Sequence, residues 1–234
     1  MYGLESVELA NAMATRLGDL QELKLRFYHP RIHDGLVSST HWRQTPAGSP
    51  AWNALVGLGS MHAGLLQLRS LRKLSIERAG LTSAQLRAWV GHNMQLEELE
   101  LTNTAGVDFD FVHWLGQYCS GGTSRLRGIT FVDCRRLVAS EAGHLEWVVR
   151  LAFSGVHELD LKKCVNVKQI LLLELLQDVV AFQHELSLRS LKFPDGAQAV
   201  IESGRIQLSS KTKRFSGKQT ARKLNYSGVH DIKC

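Results

Sequence analysis

Two kinds of apolar spacing alternate along this chain. Short segments place apolar residues at steps of three and then two: Leu68, Leu71, Leu74 and Ile76; Leu96, Leu99 and Leu101; Leu126, Ile129 and Phe131; Val156, Leu159 and Leu161; Leu188, Leu191 and Phe193. An earlier copy is Leu20, Leu23 and Leu25. The closing x-L-x-L alternation predicts a short strand with one apolar face. From Leu74 onward, the residues that open each pair are 25, 30, 30 and 32 positions apart. The segments between have helical spacing. Thr82 to Gln85 reads as a capping box before Leu86, Trp89 and Val90. Phe109, Val112, His113 and Leu115 lead to Cys119, and Leu145, Val148, Val149 and Phe153 follow Ser140. Ile170 to Phe182 reads as the longest helix. Its apolar positions cover about 200° at ~100° per residue, about twice the usual one-sided stripe. Leu171, Leu175, Val179 and Phe182 are assigned to its core side. Leu172, Leu173 and Leu176 are left toward the edges, where they contact a partner or the C-terminal segment, or are buried between neighbouring units.

A strand–helix unit of this length cannot bury its apolar face alone, so the repetition predicts stacked units with a common core. The pattern resembles the leucine-rich repeat family, L-x-x-L-x-L-x-x-N/C-x-L, in its cysteine-containing and ribonuclease-inhibitor-like forms. Cys134 and Cys164 occupy the N/C position in two copies, Thr104 in a third, and Ala79, which has no side-chain donor, in the first. The resemblance covers 68 to 193 and implies an α/β solenoid, with a parallel β-sheet on its concave face and helices on its convex face. It also implies that the N/C side chain bonds backbone groups of the turn after the strand.

The flanks depart from the repeat. Leu25 and Leu74 are 49 residues apart, and Pro30, Pro46 and Pro50 fall in this gap, which predicts a loop over 27–50 and then a helix over 51–66. Residues 1–19 read as a capping helix with Leu4, Val7, Ala14 and Leu17 available for burial, and 205–208 as a degenerate last strand. The expected organisation is an N-terminal cap and loop with one degenerate repeat over 1–67, the solenoid over 68–208, and a tail over 209–234.

Composition changes this picture mainly through charge. Hydrophobic residues are 44% and charged residues 21% of the 234, which suits a globular chain and not a disordered one. No apolar run exceeds four residues, the length of Ile170 to Leu173, so no membrane-spanning helix is expected. The net charge of +6 belongs to the tail, where Lys211, Lys213, Arg214, Lys218, Arg222, Lys223 and Lys233 face one acid, Asp231. The body is neutral, which excludes a uniformly basic nucleic-acid-binding surface and leaves a basic arm. Glu5 and Glu8 precede the first basic residue, Arg16, unlike a secretory or mitochondrial presequence. Four scattered cysteines without a CxxC argue against a disulfide framework or zinc module. The expected compartment is intracellular and reducing, cytoplasmic or organellar, the mitochondrial matrix included.

Catalytic chemistry finds no foothold. No nucleophile elbow, Walker A, dinucleotide glycine pattern or HExxH is present, so an enzyme is not expected, nor any cofactor. His29, His33 and His41 supply three imidazoles, but Pro30 opposes the helix that i, i+4 ligation would use, and they read as loop histidines. Gly121 and Gly122 read as a helix stop. Trp89, Trp114 and Trp147 read as core, whereas Trp42 and Trp52 beside the loop are either binding anchors or buried with it.

The alternation also names the outward strand positions. Glu98, Glu100, Glu158 and Asp160 form an acidic patch interrupted by Gly128, Thr130 and Val132, with Lys162 at its border. Such a patch favours a basic partner. The expected partner-binding residues are therefore Glu98, Glu100, Thr130, Val132, Glu158, Asp160 and Lys162. Lys211, Lys213, Arg214, Lys218, Arg222 and Lys223 are the expected contacts to RNA or another anion, with Phe215 and Tyr226 available for base stacking. The leading expectation is a non-catalytic scaffold or structural subunit of a larger multi-protein assembly. The alternative is a ribosome-associated ribonucleoprotein component. An F-box-type degradation adaptor ranks behind both, because no F-box pattern precedes Leu68.

Overall fold

A computed structural model describes residues 7–26, 50–56, 68, 70–182, 186–202 and 204–209. The protein is α/β, with one eight-stranded sheet whose spatial order follows the chain. The strands are β1 (Glu22–Arg26), β2 (Lys73–Glu77), β3 (Glu98–Thr102), β4 (Gly128–Val132), β5 (Glu158–Asp160), β6 (Ser190–Lys192), β7 (Gln198–Glu202) and β8 (Arg205–Ser209). Strands β1 to β6 pair in parallel, and β6–β7 and β7–β8 are antiparallel. The described helices are α1 (Val7–Arg16), α2 (Pro50–Val56), α3 (Ser83–His92), α4 (Phe109–Ser120), α5 (Glu146–Ala152) and α6 (Gln169–Phe182), with a 3-10 turn at Ala142–Leu145. A parallel pair cannot be closed by a tight turn, so each of β1 to β5 is followed by a crossover that carries a helix.

The register is the one that the apolar spacing predicts. Leu23, Leu74, Leu99, Ile129, Leu159 and Leu191 stand side by side, and so do Leu25, Ile76, Leu101 and Phe131. All of these are buried except the half-buried Leu25 near the β1 edge. Helix residues close the same core: Leu86, Trp89 and Val90 from α3, Phe111, Val112 and Leu115 from α4, and Trp147, Val148 and Leu151 from α5. The core is continuous from Ala10 to Ile201. Aromatic rings tie neighbouring units, with Trp52 and Trp89 6.0 Å apart, Phe111 and Phe131 6.2 Å, and Phe131 and Trp147 6.4 Å.

Each turn after β2 to β5 repeats one backbone conformation. Arg78, Asn103, Asp133 and Lys163 all have positive φ, between 46° and 62°. Asn and Asp tolerate this region, but Arg and Lys pay a steric cost there. The gain is a further ladder bond from each N–H, from Arg78 to Thr102 O (2.9 Å), Asn103 to Val132 O (2.8 Å), Asp133 to Lys162 O (3.1 Å) and Lys163 to Pro194 O (2.8 Å). The next residue, Ala79, Thr104, Cys134 or Cys164, is then buried.

Several expectations change. The core side of α6 is Leu172, Leu176 and Val180, whereas Leu171, Leu175 and Val179 are half-buried and Ile170 is 59% exposed. The apolar arc is centred near Leu172, so the assignment of Leu171 and Leu175 to the core was displaced along that arc. The side chain of Phe182 lies outside the described residues. In α1 the fully buried residue is Ala10, while Val7 is half-buried; Leu17, just past the end of α1, is 37% exposed, and Leu4 and the side chain of Ala14 lie outside the described residues. Trp52 is buried against Trp89 and is no exposed anchor. The strand expected at 205–208 is present but antiparallel, paired with β7, which the repeat pattern did not disclose. The loop over 27–49, the rest of the helix expected to 66, Trp42, the three loop histidines and the tail from 210 lie outside the described residues. No helix among the described residues is long and apolar enough to cross a membrane.

Leu159 sits on β5 at the middle of the apolar ladder and is buried. Leu159→Asp is predicted to lower unfolding free energy by more than about 3 kcal/mol, because its carboxylate would be buried without a cation. On α6, Leu172→Ala should cost about 2–5 kcal/mol and Ile170→Ala within about 0.5 kcal/mol. Chemical denaturation of the full chain measures all three, and equal effects for Leu172 and Ile170 would contradict the assigned face.

Candidate protein-interaction surface

The helices cover one face of the sheet, and among the described residues the other face is open over β3 to β5, while Ser75 on β2 is buried. Parallel pairing without stagger places its side chains in rows. The first row reads Lys73, Glu98, Gly128, Glu158, Ser190, and the second Ser75, Glu100, Thr130, Asp160, Lys192. Neighbouring strands are ~4.8 Å apart, so Glu98 and Glu158 flank Gly128 across about 10 Å. Gly128 contributes no side chain, and the gap above it is a shallow depression of about 290 Å³ lined by Glu98, Glu100, Thr130, Glu158 and Asp160 among others. A Cβ at Gly128 would meet Glu98 Cγ at 3.8 Å, which is ordinary contact, so glycine here shapes the surface without being sterically required.

Cations stand mainly at the ends of these rows. Lys73 Nζ lies 2.6 Å from Glu98 Oε2, and Lys192 Nζ lies 3.0 Å from Asp160 Oδ2. Arg26 pairs with Glu77 at 2.8 Å nearer the β1 edge. Ser75 donates to Glu100 Oε2 at 3.1 Å. Glu100 and Glu158 have no ion-pair partner among the described residues. The Lys73 ammonium is held above its ordinary pKa by its hydrogen bond and charge attraction to Glu98, with Glu22 and Glu100 adding to the effect. These solvent-exposed pairs contribute little to stability, but their sum sets the sign of the surface potential.

Six of the seven expected partner-binding residues belong to strands and share this face: Glu98, Glu100, Thr130, Val132, Glu158 and Asp160. Lys162 departs from the expectation. Strand β5 ends at Asp160, and Lys162 lies in the turn beyond it, exposed, with its N–H donating to Asp160 Oδ1 at 2.9 Å. The tail residues Lys211, Lys213, Arg214, Lys218, Arg222 and Lys223 lie outside the described residues.

Below the opposite end of the open face, the cysteines act as structural donors. Cys134 Sγ donates to Leu101 O and Cys164 Sγ to Phe131 O, both at 3.3 Å and both reaching 33 positions back to the preceding strand. Thr104 makes a shorter loop, donating to Thr102 O at 3.2 Å. All three described cysteines are free and buried. A hydrogen bond shared with Cys164, together with burial, pushes the Cys134 thiol well above its ordinary pKa. Burial pushes Cys119, on α4, from 9.0 up to about 11, partly opposed by its hydrogen bond with Ser124.

Sequence reading did not find the left-handed turns, because Arg78 and Lys163 carry no composition signal for positive φ. It also missed the hairpin of β7 and β8, although Pro194, Asp195 and Gly196 spell a turn signature and Gly204 marks the next one. The chain matches no family model and no curated protein sequence.

The thiol environments predict a chemical protection. In a full chain carrying Cys234→Ser, an aromatic disulfide reagent at pH 8 should modify none of Cys119, Cys134 and Cys164 until the protein unfolds, and all three in denaturant. The folded state holds the Cys119 proton more tightly than the unfolded chain does. Its contribution is therefore intact below pH 9.0 and lost as pH rises toward about 11. Melting curves across that range should fall less steeply for Cys119→Ala; an unchanged slope would contradict the assignment.

Proposed function

We propose that the strand–helix units are leucine-rich repeats stacked as a solenoid, and that the protein is a non-catalytic scaffold or structural subunit of a larger protein assembly. The single observation that carries this reading is the open sheet face. The register gathers Glu98, Glu100, Glu158 and Asp160 around Gly128, while the other face of the same strands is filled with apolar side chains. An extended face held by its own backbone ladder can present fixed charges to another protein without a loop having to order. Glu100 and Glu158, which have no salt-bridge cation among the described residues, favour a partner that brings lysine or arginine side chains. Free buried thiols and a sheet without disulfides fit a reducing intracellular compartment.

The uneven charge favours one second reading. A tail that carries the whole net charge suits contact with RNA phosphates in a ribonucleoprotein, independently of the sheet face. Affinity capture of the full chain followed by mass spectrometry, with and without nuclease, separates the two. The scaffold reading predicts nuclease-resistant protein partners that are lost with Glu98→Gln, Glu100→Gln, Glu158→Gln and Asp160→Asn combined, at unchanged melting temperature. Partners that survive those substitutions but vanish with nuclease would transfer the function to the tail.

A further inference from the structure

Two features of opposite sign occur in this one chain. The open face of β3 to β5 carries four carboxylates, and the residues after β8 carry seven cations against one acid. The fold decides where the second begins. Strand β8 pairs with β7 so that Ser209 stands beside Gln198, and Gln198 stands beside Lys192. Ser209 therefore ends in the row that continues through Lys192 and Asp160 to Thr130 and Glu100. Along that row, Asp160 is three strands from Ser209 and Glu100 is five, or about 14 and 24 Å at ~4.8 Å per strand.

The sequence after Ser209 has the length to meet these positions. An extended chain gains at most about 3.3 Å per residue, so Arg214 can reach about 16 Å and Lys218 about 30 Å from Ser209. Lys213 and Arg214 thus reach Asp160 and Glu158, whereas Lys211 gains only about 7 Å of backbone, and Lys218 with Arg222 and Lys223 reaches Glu100 and Glu98. The like charges that oppose such a path are Lys192, which is already paired with Asp160, and Lys73, which is paired with Glu98. Arg205, Arg127 and Lys162 stand at its margins, as does Glu202 with the opposite sign. Glu158 on β5 and Glu100 on β3, the two strands such a path reaches, have no ion pair among the described residues.

We propose that the segment from Lys211 to Lys223 docks on the open sheet face of its own chain, over Asp160, Glu158, Glu100 and Glu98, and occupies the recognition surface until a partner's basic segment displaces it. This rests on reading the face as a surface for basic protein segments. A short tether gives an effective concentration of about 1 mM, so a segment that binds this face with a dissociation constant near 0.1 mM weakens an outside competitor by about tenfold.

The test uses full-length chains and a fluorescein-labelled synthetic peptide with the sequence of residues 210–224. One variant replaces Lys211, Lys213, Arg214, Lys218, Arg222 and Lys223 by Gln. A second adds Glu98→Gln, Glu100→Gln, Glu158→Gln and Asp160→Asn to the first. All are checked for unchanged circular dichroism and melting. Fluorescence anisotropy should show the peptide binding the tail-neutral chain about tenfold tighter than the natural chain, in a salt-sensitive way, with binding lost in the second variant. The amide resonances of Gly128 and Thr130 should also differ between the natural and tail-neutral chains. Equal binding to the natural and tail-neutral chains, lost in the second variant, would overturn the self-docking and leave the face reading standing. No binding to the tail-neutral chain, or binding that survives in the second variant, would overturn both.

Discussion

The arrangement depends on how a parallel strand is left. A parallel ladder has no hairpin to close it, so the chain must turn away at the end of every strand and come back through a helix. From β2 to β5 it does so at one left-handed residue, Arg78, Asn103, Asp133 or Lys163. That conformation extends the ladder by one hydrogen bond and sends the next side chain into the interior. The interior position then takes a small side chain. Cys134 and Cys164 fill it with thiols aimed at the preceding strand, and Ala79 fills the same place by packing alone. The steric cost of a lysine or arginine at positive φ is offset by a ladder that stays in register across the sheet.

Register in turn decides what the open face can be. Because each strand commits alternate side chains to the core, the residues between them face outward, and apart from the buried Ser75 they stay at the surface and can carry charge. The same lack of stagger that aligns Leu99, Ile129 and Leu159 inside aligns Glu98, Gly128 and Glu158 outside. Charges held in this way are positioned by the backbone, with no loop to order first. Lys73 pairs with Glu98 and Lys192 with Asp160, and among the described residues Glu100 and Glu158 are the carboxylates of this patch that have no ion pair.

Much of this was legible from spacing alone. The strands and their order of repetition follow from where apolar residues recur, since a two-residue alternation leaves few choices of face, and the Thr82 capping box follows from the residue types at Thr82 and Gln85. The outward acidic residues were legible for the same reason. The longest helix was not: α6 is apolar over so wide an arc that its sequence does not select Leu172, Leu176 and Val180 over Leu171, Leu175 and Val179. The selection comes from how α6 meets its neighbours, and that is a tertiary property. The positive-φ turns were hidden because backbone geometry, not residue type, demands them at Arg78 and Lys163. Lys162 was misplaced because β5 is two residues shorter than the strands before it, a difference that alternation does not register.

The central claim is that one uninterrupted ladder, extended through the left-handed turns, holds the open face in place. Native-state hydrogen exchange of the full chain, resolved by residue, tests it most directly. The account predicts that the amides of Arg78, Asn103, Asp133 and Lys163 exchange as slowly as those of Leu99, Ile129 and Leu159 within the strands. Exchange at those four amides as fast as at Gly122, in the loop after α4, would contradict it.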